Sequence, residues 1–511
     1  MATAEDTAFL TMAYARLRAA LQSHPGATLP SPSALQTALS SLPTSCSSLP
    51  AHGPEATLDH LLTDLLPACD GHALSGRYYG FVTGGCHPVA EAADNMVSAL
   101  DQNVQVHLPA QYAATAVEDA ALRMVVSLLG LGDADADWPG RTFTTGATAS
   151  NVLGLLCGRE AVVRRRLMEG RGAVGEEELR RHSVAEAGLL GACAAAGIKE
   201  IQVITSMGHS SLSKAASIAG LGHAAVKQLA ASAEEPWRLS MDAVERELKR
   251  ADDGFVSIIA LSAGEVNTGR FATAASDLPK LRRLADKYGA WIHVDGAFGV
   301  FARALPHADE FLNLHANSAG LELADSIAAD GHKALNVPYD NGIFLCRHLS
   351  IQAQVFRNPN AAYLSFSSTD DFQIPSPLDL GLENSRRFRA LPVYALLLSE
   401  GREGMANMFV RMVVLARKIA AFIQKSEHYE LLPDANVSLD NIHMIVLFKA
   451  KNPELNQVLV EKINETRRVH VSGTVWKGDK AVRIAVSNWR VKLEEDLGVL
   501  KEVLNSIAIK K

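Results

Sequence analysis

The run Ala324-Asp325-Ser326-Ile327-Ala328-Ala329-Asp330-Gly331-His332-Lys333-Ala334-Leu335-Asn336-Val337-Pro338-Tyr339 sets one lysine among small and polar residues directly after an apolar segment. A lysine amine loses its proton readily on burial or beside another cation, and a deprotonated, rigidly aimed amine forms a Schiff base with an aldehyde cofactor. Read alone, Lys333 is equally a surface lysine in a turn. A second run, Trp291-Ile292-His293-Val294-Asp295-Gly296-Ala297-Phe298-Gly299, reads as a short buried strand ending in a carboxylate. At a strand's C-terminal end, Asp295 points into the crevice where open α/β sheets bind ligands. There it would keep a ring nitrogen protonated and make the ring an electron sink. Capping the next turn is the ordinary alternative for an aspartate.

Two weaker signals accompany these. Thr144-Thr145-Gly146-Ala147-Thr148-Ala149-Ser150-Asn151 combines small residues and hydroxyls with the start of a helical run, which leaves backbone N–H groups free for a phosphate. A loop with an N-cap would look similar. His209-Ser210-Ser211, after the apolar run Ile201-Gln202-Val203-Ile204, puts an imidazole at another strand end, where it would stack on a flat ring or serve the fold alone.

Taken together and in this order, the four segments resemble the pyridoxal phosphate-dependent group II amino acid decarboxylases, the family of aromatic amino acid, histidine and glutamate decarboxylases. Further stretches share the resemblance: Gly80-Phe81-Val82-Thr83-Gly84-Gly85, Asp101-Gln102-Asn103, Ser385-Arg386-Arg387-Phe388-Arg389-Ala390-Leu391 and Val482-Arg483-Ile484-Ala485-Val486-Ser487-Asn488-Trp489. Residues 1–55 carry no motif that can be assigned.

The resemblance implies an α/β chain of fold type I (aspartate aminotransferase-like), with a central, mostly parallel seven-stranded sheet and a small α+β C-terminal domain. Its units would be a helical, dimer-wrapping arm over 1–85, a large cofactor domain over 86–390 and the small domain over 391–511. Pyridoxal 5′-phosphate is the implied cofactor and an L-amino acid, aromatic or bulky, the implied substrate. Lys333 would form the Schiff base, Asp295 would pair with the pyridine nitrogen through the quinonoid stage, and His209 would stack on the ring opposite Ala297. Thr148, Ala149 and Ser150 would contact the phosphate, with Asp330 and His332 beside it and Thr268 near the ring hydroxyl. Phe81, Val82, Thr83 and His107 would line the substrate side. A homodimer with shared active sites is implied as well, with residues 101–111 and 366–379 crossing between subunits.

The chain departs from the family in two places. Many aromatic amino acid decarboxylases deliver the Cα proton from a loop tyrosine. Residues 366–379 hold no tyrosine; Phe372 is the sole aromatic after Phe366, and Tyr363 lies just before. Without a fast proton donor the reaction diverts to dioxygen and yields an aldehyde, so an aldehyde synthase is the alternative to an amine-forming decarboxylase. A catalytically silent scaffold is a third reading, opposed by the intact Lys333, Asp295 and His209. The second departure is Gly264-Glu265-Val266-Asn267-Thr268-Gly269, where familiar members carry Gly-Thr-Thr. Glu265 either reads a basic or hydroxylated substrate or faces solvent in a turn.

Composition agrees with these readings. The chain has 511 residues, 48% of them hydrophobic, enough for a large core in two or three units. Its net charge of −7 and lack of a basic run leave no electrostatic footprint for nucleic acid. Six scattered cysteines show neither metal-ligand spacing nor pairing, so no metal is expected. The acidic N-terminus and the absence of a membrane-length apolar run make a cytoplasmic location the expectation, without a membrane partner.

Periodicity predicts a helix over 8–23, a Pro/Ser-rich linker or arm over 29–54 and helical structure over 55–98 with a turn-rich break at 75–88. Strands then alternate with helices over 141–345, as a covered parallel or mixed sheet requires. Long helices over 392–425 precede an alternating strand–helix terminus.

Overall fold

The computed structural model describes residues 3–22, 26–43, 51–171, 175–358 and 374–509. Seven strands form the central sheet: β1 (Gly140–Thr144), β2 (Glu200–Thr205), β3 (Val226–Gln228), β4 (Phe255–Ser262), β5 (Trp291–Asp295), β6 (Ser326–Asp330) and β7 (Gly342–Cys346). Their spatial order is β1-β7-β6-β5-β4-β2-β3. Only β7 runs against its neighbours, β1 and β6; the other pairs are parallel.

The sequences of these strands are near-continuous apolar runs because both faces of the sheet are covered. Alternate residues feed two different cores. Val256, Ile258 and Ala260 of β4 pack with Trp291 and Phe344 under the helix Ala147–Arg171, whereas Ile259 and Leu261 join Ile292, Val294 and Ile327 on the opposite face. The helix Ala147–Arg171 can lie low on the sheet because position 154 has no side chain. A Cβ there would sit 2.3 Å from the His293 ring nitrogen Nδ1.

A second, fully antiparallel sheet follows, from β8 (Tyr429–Leu432), β9 (Ile445–Ala450), β10 (Ser472–Trp476) and β11 (Asp479–Ala485) in the order β10-β11-β9-β8. The predicted long helices are one element, Ala390–Gln424, broken at Gly401, whose φ of 59° departs from the helix. This element packs on both the Pro88–Leu100 and Ala114–Leu128 helices and on β8 and β9, which joins the two halves of the chain.

At the N-terminus the predicted helix is present as Ala4–Gln22. The expectation of a linker over 29–54 is corrected in part: Pro32–Ser41 is a helix. Ser31 caps it by accepting the Ala34 N–H at 3.0 Å, and Pro32 takes the first turn. These serines and prolines are helix-start residues as well as linker residues. The turn-rich segment after it is threaded across the C-terminal sheet: Tyr79 N–H donates to His470 O (2.8 Å), and Ala485 N–H donates to Tyr79 O (3.1 Å). Among the described residues no helix is long and apolar enough to cross a membrane.

The close seating at position 154 is directly testable. Gly154→Ala should lower stability by roughly 1–3 kcal/mol, the usual cost of overpacking, even though alanine favours a helix interior by about 1 kcal/mol over glycine. Urea denaturation of both proteins measures it, and an unchanged midpoint would show that the helix yields freely.

Candidate functional site

Because β7 is antiparallel to both β1 and β6, β1 runs in the same sense as β2, β3, β4, β5 and β6, and six C-terminal strand ends open on one edge. Thr144 ends β1 before the helix Ala147–Arg171, Asp295 ends β5 and Asp330 ends β6. His209 follows β2, and Thr268 follows β4. Lys333 sits in the wide helical turn Gly331–Leu335 directly after β6.

Lys333 Nζ lies 2.7 Å from Asp330 Oδ2, and Asp330 Oδ1 accepts the Ala147 N–H at 2.6 Å. The buried Asp330 thus joins the lysine to the N-terminus of the helix, where a negative charge is favoured. His332 Nδ1 accepts the Asn341 N–H (3.3 Å), and its Nε2 is 3.6 Å from Asp330 Oδ1. Burial depresses the His332 pKa despite that carboxylate. Tyr339 lies against the His332 ring, with centroids 4.4 Å apart. The residue is 59% exposed, while desolvation and the Asp330 charge push the phenol pKa up.

The lysine turn is clamped from the side of residues 80–85. A Cβ on Gly84 would meet the Lys333 carbonyl oxygen at 2.4 Å, so only glycine permits this approach. Asn336 Oδ1 accepts N–H groups from Gly85 (2.7 Å) and Trp489 (2.9 Å), while its Nδ2 donates to Ala334 O (2.9 Å) and Ser487 O (3.1 Å). One buried asparagine therefore connects the lysine turn, the entry loop and the end of the chain.

Asp295 is held by a directed chain of donors. Trp291 Nε1–H donates to Ser326 Oγ (3.0 Å), whose hydroxyl donates to His293 Nδ1 (2.8 Å). His293 Nε2–H then donates to Asn151 Oδ1 (2.9 Å), and Asn151 Nδ2 donates to Asp295 Oδ2 (2.8 Å) and Ser211 Oγ (3.3 Å). Asn151 can give both its N–H groups only because its oxygen faces a histidine donor, so the polarity of every bond is set. The Ala297 N–H reaches Asp295 Oδ1 at 3.3 Å. Complete burial pushes His293 down to about 4, although Asp295 opposes the shift. His209 Nδ1 accepts the Ser211 N–H (3.2 Å) and lies 2.8 Å from the Ser211 hydroxyl, which makes the imidazole the cap of the helix Ser210–Ile218 as well as a strand-end ring.

The other expected residues are distributed unevenly. Thr148 and Ala149 stand in the first helical turn, where amides lack intrahelical acceptors. Ser150 is buried, with its hydroxyl 2.8 Å from that of Thr144. The Thr268 hydroxyl donates to Glu265 Oε2 at 2.8 Å. Glu265 itself is buried and also accepts the Asn267 and Thr268 N–H groups, so it closes its own turn rather than facing solvent. Val82 is buried, Thr83 donates to Gly80 O, and Phe81 stands 74% exposed with φ at 54°. His107 lies apart: its Nδ1 is 2.8 Å from the Thr115 hydroxyl and its N–H donates to Ser376. Tyr363, Phe366 and Phe372 fall outside the described residues. Among the described residues no group of three His, Cys, Asp or Glu side chains could hold a metal ion.

Reading the sequence missed Asn151, His293, Asn336 and Tyr339. Tyr339 was within the quoted run, and Asn151 ended another, but only the packed structure turns them toward Asp295 and His332.

A family model for the pyridoxal-dependent decarboxylase conserved domain matches residues 81–451. The chain is 29% identical over 293 residues to L-2,4-diaminobutyrate decarboxylase of Acinetobacter baumannii (57% of this chain, 52% of that protein). It is 26% identical over 300 residues to aromatic-L-amino-acid decarboxylase of Bacillus atrophaeus (58% and 60%). It is also 26% identical over 298 residues to phenylacetaldehyde synthase of Petunia hybrida (54% and 55%). The chain thus spans little more than half the length of these relatives. A crystal structure of Oryza sativa TDC with PLP and tryptamine superposes with a TM-score of 0.80 at 21% identity, over 99% of this chain and 98% of that one, a likeness of fold.

Two outcomes follow from the donor chain. Asn151→Leu leaves the fully buried His293 donor unpaired and should cost about 1–3 kcal/mol, read from urea denaturation. The His293 pKa is lower folded (about 4) than unfolded (6.5), so the unfolded chain takes up the proton first. Its stabilisation is complete above about pH 6.5 and declines toward pH 4 by about 1.4 kcal/mol per unit. Urea midpoints between pH 7 and 5 should fall for the wild type and fall less steeply for His293→Gln.

Proposed function

The chain belongs to the pyridoxal-dependent decarboxylase family, and from that membership we propose that it removes the carboxylate of an aromatic or similarly bulky L-amino acid as carbon dioxide and releases the amine, with pyridoxal 5′-phosphate as cofactor. The observation that carries this reading is the convergence of Lys333, Asp295 and His209 at the C-terminal edge of one sheet.

The residues present fit the cofactor by their donor chemistry. Lys333 offers the amine, Asp295 a carboxylate for the ring nitrogen, His209 a flat ring, and the first turn of the helix Ala147–Arg171 its free amides. The cofactor supplies a carbonyl for the amine and a ring that accepts the electron pair left when carbon dioxide departs.

The remaining work belongs to the protein. Asp295, hydrogen-bonded by Asn151 and the Ala297 amide, would keep a proton on the ring nitrogen. Such preorganised charge is usually the largest single contribution to catalysis. Asp330 holds Lys333 Nζ in place, and release from that contact frees the amine to react. Thr148 and Ala149 would hold the phosphate; Ser150, bound to Thr144, and Thr268, bound to Glu265, would contribute through the shape of their loops. Ala297 would pack beneath the ring and His332 beside it, while Tyr339 and Phe81 with Val82 and Thr83 would enclose the substrate and keep water out.

A shared homodimeric site accounts for two features: the large exposed ring of Phe81 beside the lysine turn, and His107, which would serve the second copy's cleft. We read residues 1–85 as the arm of that dimer, 86–390 as the cofactor domain and 391–511 as the small domain, in a cytoplasmic enzyme. The aldehyde-forming alternative draws on the absence of tyrosine from residues 366–379 and on the similarity to a phenylacetaldehyde synthase.

Borohydride reduction of the cofactor-loaded protein followed by peptide mass analysis should place the pyridoxyl group on Lys333, and Lys333→Ala should lose it. A tag elsewhere overturns the assignment. Following carbon dioxide, amine, aldehyde and peroxide together across a panel of amino acids should give amine equal to carbon dioxide. Aldehyde with equivalent peroxide would establish the other product. Asp295→Ala should lower kcat by about a hundredfold or more.

A further inference from the structure

The donor chain that ends on Asp295 has a second branch, and it reaches the other group expected against the cofactor ring. Asn151 is fully buried on the helix Ala147–Arg171, and Ser211 is buried in the first turn of the helix Ser210–Ile218, which packs beside it. Asn151 Nδ2 donates to Asp295 Oδ2 at 2.8 Å and to Ser211 Oγ at 3.3 Å, so both its N–H groups are spent. Its Oδ1 faces His293 Nε2 at 2.9 Å, which keeps the amide from flipping.

Beyond Ser211 the geometry fixes a tautomer. A backbone N–H can only donate, and that of Ser211 meets His209 Nδ1 at 3.2 Å. Nδ1 is therefore an acceptor, and the ring proton lies on Nε2. The Ser211 hydroxyl, whose oxygen takes the Asn151 N–H, is 2.8 Å from the same Nδ1 and turns its own hydrogen there. One edge of the imidazole is anchored twice, while the residue as a whole is exposed. The two N–H bonds leave one planar nitrogen at a fixed angle, so a shift of Asp295 that turns the amide also withdraws the bond to Ser211.

We propose, on the cofactor reading given above, that Asn151 is a positioning residue coupling Asp295 to His209: one planar amide aims the carboxylate for the ring nitrogen and, through the Ser211 hydroxyl, the imidazole that stacks on the same ring. Groups at the edge and on the face of the cofactor ring then move together, and hydrogen bonds linked in this way strengthen one another. Ser211 serves the site through His209 alone.

The test is a titration of the full chain, stripped of cofactor, with pyridoxal phosphate, followed by the visible absorption of the bound form. Ser211→Ala should raise the dissociation constant about threefold or more, and Ser211→Thr, which keeps the hydroxyl, should stay within about twofold of the wild type. Asn151→Asp keeps the acceptor for His293 and exchanges the two donors for an oxygen; it should raise the constant about tenfold or more. Adding Ser211→Ala to Asn151→Asp should then change nothing further, whereas separate effects would multiply. Asn151→Ser takes its place in the cycle if Asn151→Asp does not fold. An unaltered constant in Ser211→Ala, multiplying effects, or binding by Ser211→Thr as weak as by Ser211→Ala overturns the coupling and leaves the cofactor reading in place. A wild type that binds no pyridoxal phosphate overturns both.

Discussion

The close seating of one helix on one strand governs the arrangement of the cleft. The helix Ala147–Arg171 approaches β5 so nearly that position 154 must be glycine, and this contact brings Asn151 between His293 and Asp295. The same helix directs its N-terminus at Asp330, which in turn holds Lys333. Moving the helix outward by the width of a methyl group would open the donor chain to Asp295 and detach Asp330 from the Ala147 amide. Both charged groups at the base of the cleft are therefore positioned by a packing contact rather than by their own strands alone.

The site's carboxylates are managed in a common way. Asp295 receives an asparagine amide and a backbone amide, Asp330 a backbone amide and an ammonium, and Glu265 two backbone amides and a hydroxyl. An ionised carboxylate survives in the interior only when donors replace its water, and charge-assisted bonds of this type are about twice as strong as neutral ones. His293 supplies the neutral counterpart, because its complete burial disfavours the imidazolium. Acid weakens this arrangement from the histidine outward.

Much of the fold was legible because its signals are local. β2 and β5 read as strands from the short runs Ile201–Ile204 and Trp291–Asp295, and Asp295, His209 and Lys333 read as strand-end chemistry from the small residues around them. The linker over 29–54 was partly misread because Ser31 and Pro32 mean the same thing at a helix start as in a loop until Ala34 donates to the cap. Glu265 was misread in a different way: sequence offered solvent or substrate, and the chain instead folded its carboxylate onto its own turn. Asp101-Gln102-Asn103 and the segment after Ser385 stood as separate resemblances. In the fold they meet, with Asn103 Oδ1 accepting the Arg386 N–H at 3.0 Å and Val104 N–H donating to Arg386 O at 3.1 Å.

The sequence by itself determined the family and the alternation of strands and helices along the chain, and it offered Lys333 and Asp295 as the amine and the carboxylate of the proposed cofactor site. These are carried by residue type and short spacing, which the unfolded chain already possesses. Tertiary structure decided which neutral groups serve those charged ones, because Asn151 and His293 are 142 residues apart, and Gly85 and Asn336 251 apart. No local pattern specifies such meetings; they follow from sheet order and from how closely each helix can approach the strands beneath it.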